Sequence, residues 1–134
     1  MRNPWKALIA KAKTAARPGQ EKKNGIKRTI PLDVTIDEVY LLTQYNKQNG
    51  QCYWTQFPVD PYGVYEKNNP LAPSLERLDE TQGYIPGNVV IALRLFNLGR
   101  QRCPEKKFKS QVEKLKKHFC GEPVKSSLKQ FMPE

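Results

Sequence analysis

The chain has 134 residues, room for one compact domain and little more. Lys and Arg number 23 against 13 Asp and Glu, a formal net charge of +10, and apolar residues are only 38%. No apolar run approaches the ~18 residues that a bilayer span needs, which excludes a membrane protein, and 11 prolines with 8 glycines point to a small, loop-rich core. The N-terminus lacks the continuous apolar stretch of a secretory signal. Cys52, Cys103 and Cys120 are odd in number and widely spaced, which argues against a disulfide framework and for a reducing, cytoplasmic setting.

Asn3-Pro4 is a helix start, with Asn as cap and Pro in the first turn. Trp5, Leu8, Ile9, Ala12 and Ala16 recur at helical spacing up to Arg17, where Pro18-Gly19 stops the helix. Residues 18–28 read as an exposed basic loop. Ile30 to Val34 is short and extended. Thr35 and Glu38 form a T-x-x-E capping box that opens a second helix through Val39, Leu42 and Tyr45, ending at Asn49-Gly50. Cys52 to Thr55 reads as a short aromatic strand, followed by a Pro- and Asn-rich loop from Gln56 to Pro73. Ser74 to Asp79 alternates and reads as a strand, with Leu75 and Arg77 facing one side. Asn88 to Ala92 reads as a second strand and Leu93 to Arg100 as a helix. Pro104 opens a last helix with the stripe Phe108, Val112, Leu115 and Phe119, six lysines on its solvated side, and Gly121 as its stop.

The charge is unevenly placed. Residues 1–28 carry +8, residues 101–134 carry +5, and the middle carries −3. Basic arms around a mildly acidic centre suit a nucleic-acid-binding protein, because the arms neutralise phosphates and release counterions. The candidate contacts are Lys6, Lys11, Lys13, Arg17, Lys22, Lys23, Lys27, Arg28, Arg94, Arg100 and Arg102. The plainer reading is a basic surface that serves solubility.

The middle of the chain spells a further pattern: Gly50-Gln51-Cys52-Tyr53-Trp54-Thr55, then Pro73-Ser74-Leu75-Glu76-Arg77-Leu78-Asp79, Gly83-Tyr84, Gly87-Asn88-Val89 and Asn97. It resembles the HNH-type nucleases of the His-Me finger group, in the phage and bacterial branch whose strand reads S-L-D-R-x-D. The resemblance covers roughly residues 3–119. It implies an α+β fold: a small ββα-metal core at 50–100, flanked by an N-terminal basic helix and loop (1–28) and a C-terminal basic helix (104–119). Residues 1–121 then form one domain, and 122–134 a flexible tail.

The resemblance also implies a chemistry. In such nucleases one divalent ion stabilises charge on the scissile phosphate and the leaving oxygen, and oxygen ligands suit Mg²⁺ or Mn²⁺. Carried over by position, Glu76 falls at the metal-binding acid and Asn97 at the helical metal ligand. Arg77 falls at the general base, and Asn88 at the loop Asn that orients it. Glu76 stands for the usual Asp and Arg77 for the usual His. A guanidinium stays protonated near neutral pH and is no base, so Asp79 or metal-activated water would have to serve, with Arg77 contacting phosphate instead. The plain alternatives are a solvated strand face with a local ion pair for Glu76, Arg77 and Asp79, and turn chemistry for Asn88. The lone His118 reads as a surface residue. Thr55 stands where some related chains carry the second cysteine of C-x-x-C, so no structural zinc is expected. Tyr53, Trp54 and Phe57 are expected to pack as core aromatics. Two functions follow: a metal-dependent DNA endonuclease, phage- or mobile-element-related, or a weakened HNH-like protein that binds DNA without cutting. An RNA-binding ribosomal-type protein fits the charge but not the motif spacing.

Overall fold

The computed structural model of the chain describes residues 2–19 and 30–121. The expected tail at 122–134 and Lys22, Lys23, Lys27 and Arg28 lie outside the described residues. The described residues form four α-helices and a two-stranded antiparallel sheet, an α+β arrangement. None of these helices is long and apolar enough to cross a membrane.

Helix α1 spans Pro4–Ala15 and begins where Asn3-Pro4 sets it. The Asn3 Oδ1 accepts the N–H groups of Trp5 and Lys6 at 3.1 and 3.2 Å, satisfying two donors that have no partner inside the helix. Its Leu8 and Ala12 are buried, together with Ala16 just beyond its end.

Helix α2 spans Glu38–Lys47, and its cap corrects the expectation. Asp37, not Thr35, caps it: the Asp37 Oδ1 accepts the Tyr40 N–H at 2.8 Å. The reason is tertiary. Val34 pairs with Tyr84 as a parallel bridge, and the Thr35 N–H is spent on the Tyr84 carbonyl at 3.0 Å. The extended segment therefore runs further, and the next carboxylate takes over as cap.

Cys52 to Thr55 is a turn rather than a strand. The Cys52 N–H donates to the Phe57 carbonyl at 2.8 Å, and Gln51 bridges Pro58, so the chain doubles back on itself at once. A 3-10 turn, Pro61–Tyr65, forms within the expected loop, with the Asp60 carboxylate capping the Tyr62 N–H at 3.0 Å.

Strand β1, Pro73–Arg77, pairs antiparallel with β2, Val89–Leu93, in a register that sets Leu75 opposite Ile91 and Glu76 opposite Val90. The expected strand is present, but its burial does not alternate, since Leu75 and Glu76 are both buried; it stops at Arg77, and Asp79 lies in the loop beyond it. Helix α3, Arg94–Arg100, follows β2 directly. All five residues of β2 are buried, as expected for a strand covered on both faces. Side chains take over its outer edge. The Gln48 amide donates to the Ile91 carbonyl at 2.8 Å and accepts the Ile91 N–H at 3.0 Å, and the Tyr40 hydroxyl donates to the Val89 carbonyl at 2.8 Å. A two-stranded sheet is marginal alone; here the core of Leu41, Trp54, Val89, Ile91 and Leu93 holds it.

The chain divides into two compact units, Met1–Cys103 and Pro104–Glu134. The second contains α4, Glu105–Phe119, which ends with Cys120 as cap and Gly121 at a φ of +85°. Of its apolar stripe only Val112 is buried; Leu115 and Phe119 are exposed.

Candidate functional site

The residues singled out from the sequence converge at β1, the loop after it and α3, but most of their polar atoms are spent inside the protein. Residues of β1 alternate in direction, so Ser74 and Glu76 share a face. Asn97 and Arg100, three apart on α3, share a helix face one turn long. The two faces meet. The Asn97 amide donates to the Ser74 hydroxyl at 2.6 Å and to the Leu75 carbonyl at 3.2 Å, and the Arg100 guanidinium donates to the Glu76 carboxylate at 3.0 Å.

This ion pair is deeply buried: the Glu76 and Arg100 side chains are 1% and 3% exposed. All three nitrogens of the Arg100 fork donate, with Nη1 also bonding the Arg77 carbonyl at 3.0 Å, Nη2 the Leu78 carbonyl and Nε the Cys103 carbonyl, both at 2.9 Å. The guanidinium lies 5.1 Å from the centre of the Trp54 ring. Desolvating two charges costs several kcal/mol each, and here mutual attraction, three further hydrogen bonds and an aromatic face offset that cost. Arg100 thus cannot contact a phosphate as expected from the sequence, because solvent does not reach it. Nothing local in the sequence distinguishes it from the exposed Arg94 and Arg102.

The same pair bears on a divalent ion. Glu76 and Asn97 are brought to one strand–helix interface, the two positions expected to hold the ion. The cation already resting on the Glu76 carboxylate is Arg100. A divalent ion there would have to compete with Arg100 for the Glu76 carboxylate, and the guanidinium is anchored by three carbonyls besides.

Arg77 donates through Nη1 to the carbonyls of Glu80 at 2.7 Å and Gln82 at 2.9 Å, and its guanidinium lies over the Tyr84 ring at 5.4 Å. It shapes the loop between the strands. Asp79 turns back on that loop as well: its Oδ1 accepts the Thr81 hydroxyl at 2.6 Å and the Thr81 N–H at 2.9 Å. The Thr81 hydroxyl, then its N–H, hold the Asp79 carboxyl below the usual carboxylate range. A carboxylate made more acidic is a poorer proton acceptor, so the substitute-base role is weakened.

Asn88 is buried and closes the same loop. Its Oδ1 accepts the Asp79 N–H at 2.8 Å, while its Nδ2 donates to the Asp79 carbonyl at 3.0 Å and the Gly83 carbonyl at 2.9 Å. It orients backbone rather than a base. The turn signal of Pro86-Gly87-Asn88 already contained this role.

Around the hairpin, Cys52 is a buried free thiol whose Sγ accepts the Leu93 N–H at 3.4 Å. Trp54 is a core aromatic, as expected, and Tyr53 meets it edge-on at 5.0 Å. Phe57 instead is half exposed, because the Gln51–Pro58 turn carries it outward. Lys6, Lys11, Lys13, Arg17, Arg94 and Arg102 are exposed, and Arg102 pairs with Glu80 at 3.5 Å. His118 is an exposed residue of α4.

No family model, no curated protein and no solved structure matches this chain.

Proposed function

We propose that this chain is a DNA-binding protein built on an HNH-like ββα hairpin, and that it binds without cutting. The observation that carries the reading is the buried Arg100–Glu76 pair. An internal guanidinium takes the carboxylate that a nuclease of this type would reserve for its metal, and Arg77 at the base position is committed to loop carbonyls. Such a chain keeps the scaffold without a poised acid, base or ion. DNA as the partner is supported by the +10 net charge and by exposed basic residues on α1. Three free thiols support a reducing compartment such as the cytoplasm.

A second reading, the metal-dependent endonuclease with Mg²⁺ or Mn²⁺, is favoured by one observation: Glu76 and Asn97 lie at the same strand–helix interface. It requires Arg100 to leave Glu76. Supercoiled plasmid incubated with the protein in Mg²⁺ or Mn²⁺, with an EDTA control, separates the two. Binding without nicking is the expected result. EDTA-sensitive nicking that Glu76→Gln abolishes overturns it in favour of the nuclease.

A further inference from the structure

We propose that the outward face of α1, carrying Lys6 and Lys13, together with Arg17 in the turn just past its end, docks the phosphate backbone of duplex DNA without reading its sequence; this rests on the DNA-binding reading above. Leu8, Ala12 and Ala16 mark the buried side of the helix. At ~100° per residue, Lys6 and Lys13 fall about 20° apart on the side away from Leu8 and Ala12, and Arg17 follows in the turn after Ala16. All three are exposed, whereas Lys11 projects from a different flank. The sequence alone could not make this separation, since it is the burial of Leu8, Ala12 and Ala16 that orients the helix.

The row is cationic without compensation. Helix α1 contains no Asp or Glu, and these three side chains form no ion pair among the described residues. Four other basic groups are paired: Lys109 with Glu105, Lys116 with Glu113, Arg102 with Glu80, and Arg100 with Glu76. Between the cations the face carries only Ala10 and Thr14, and the Thr14 hydroxyl is spent on the Ala10 carbonyl at 3.2 Å. A backbone can therefore approach closely. Among the described residues no aromatic ring stands on this face to stack an unpaired base. Duplex DNA is the polyanion that this chemistry suits. From Lys6 to Lys13 the helix rises about 10 Å, which matches roughly three base-pair steps of ~3.4 Å.

The test uses the full chain and short fluorescein-labelled duplexes of two unrelated sequences, with anisotropy read over a series of NaCl concentrations. Lys6→Gln/Lys13→Gln/Arg17→Gln is compared with Lys11→Gln, since Gln keeps the helix propensity, and circular dichroism checks the helix. The triple variant should lower the magnitude of the log–log salt slope by about 2.7, three phosphates at ~0.9 each, equally for both sequences. Lys11→Gln should leave the slope unchanged. A triple variant with the native slope and affinity overturns this docking face while leaving DNA binding intact. Native protein that shows no salt-dependent binding to either duplex overturns the DNA-binding reading, and this inference with it. Tighter binding to single-stranded DNA or to double-stranded RNA, lost in the triple variant, overturns the choice of duplex DNA.

Discussion

Replacing Arg100 by Met tests the buried pair most directly. The substitution keeps a long side chain but removes the charge, leaving the Glu76 carboxylate and the carbonyls of Arg77, Leu78 and Cys103 without their donor. Glu76 is 1% exposed, so water cannot take over without opening the core. Breaking a buried pair in this way costs about 3–5 kcal/mol. That is a large part of the roughly 5–15 kcal/mol by which domains are stable, and for a unit of this size it lowers Tm by at least about 12 °C. Glu76→Leu should cost a similar amount, by stranding the guanidinium. The double variant Arg100→Met/Glu76→Leu removes both charges and should recover most of the loss, because apolar replacements of buried pairs are often neutral or better. Urea unfolding followed by far-UV circular dichroism measures all four corners of the cycle. A coupling of about 3 kcal/mol or more is expected on those grounds. Single variants that each lose under about 1 kcal/mol and simply add would refute the account of the pair, and with it the argument that Arg100 holds the place of an ion.

Three further outcomes follow from the loop and its neighbours. A Cβ on Gly83 would run into the Asp33 carbonyl and come within 2.8 Å of its backbone nitrogen, so Gly83→Ala should part the Val34–Tyr84 bridge, read as faster amide exchange at Tyr84. Asn88→Ala strips the Asp79 N–H and the carbonyls of Asp79 and Gly83 of a buried partner, and should cost about 2–3 kcal/mol in urea unfolding. Thr81→Val removes the hydroxyl that chiefly depresses the Asp79 carboxyl. Because a depressed folded-state value stabilises above the ordinary carboxylate range and is lost as pH falls through the lower folded value, the variant should shift the Asp79 titration upward by carboxyl NMR. It should also lose less stability below that range than the native chain does, and an unmoved titration would show the Thr81 contacts to be incidental.

Local signals by themselves determined much of this protein. The Asn3-Pro4 start opened α1, which closes at Ala15, two residues before the expected Arg17, and a run of Val89, Val90 and Ile91 marked β2. These succeed because capping, turn geometry and hydrophobic period act within a few residues. The points that failed were decided at a distance. Thr35 lost its capping role where Val34 bridges Tyr84 and the Thr35 N–H bonds the Tyr84 carbonyl, 49 positions away, whereas the turn at Cys52 to Thr55 is the local exception, closed by Phe57 and Pro58. Glu76, Asn88 and Asn97 were legible as a constellation, yet their partners were not. Arg100 has the same local credentials as Arg94 and Arg102, and only the antiparallel hairpin with α3 folded over β1 carries it 24 positions back to Glu76. Sequence pattern says which residues carry charge; whether a charge meets water, a phosphate or a buried counter-ion is settled only when the long-range packing closes around it.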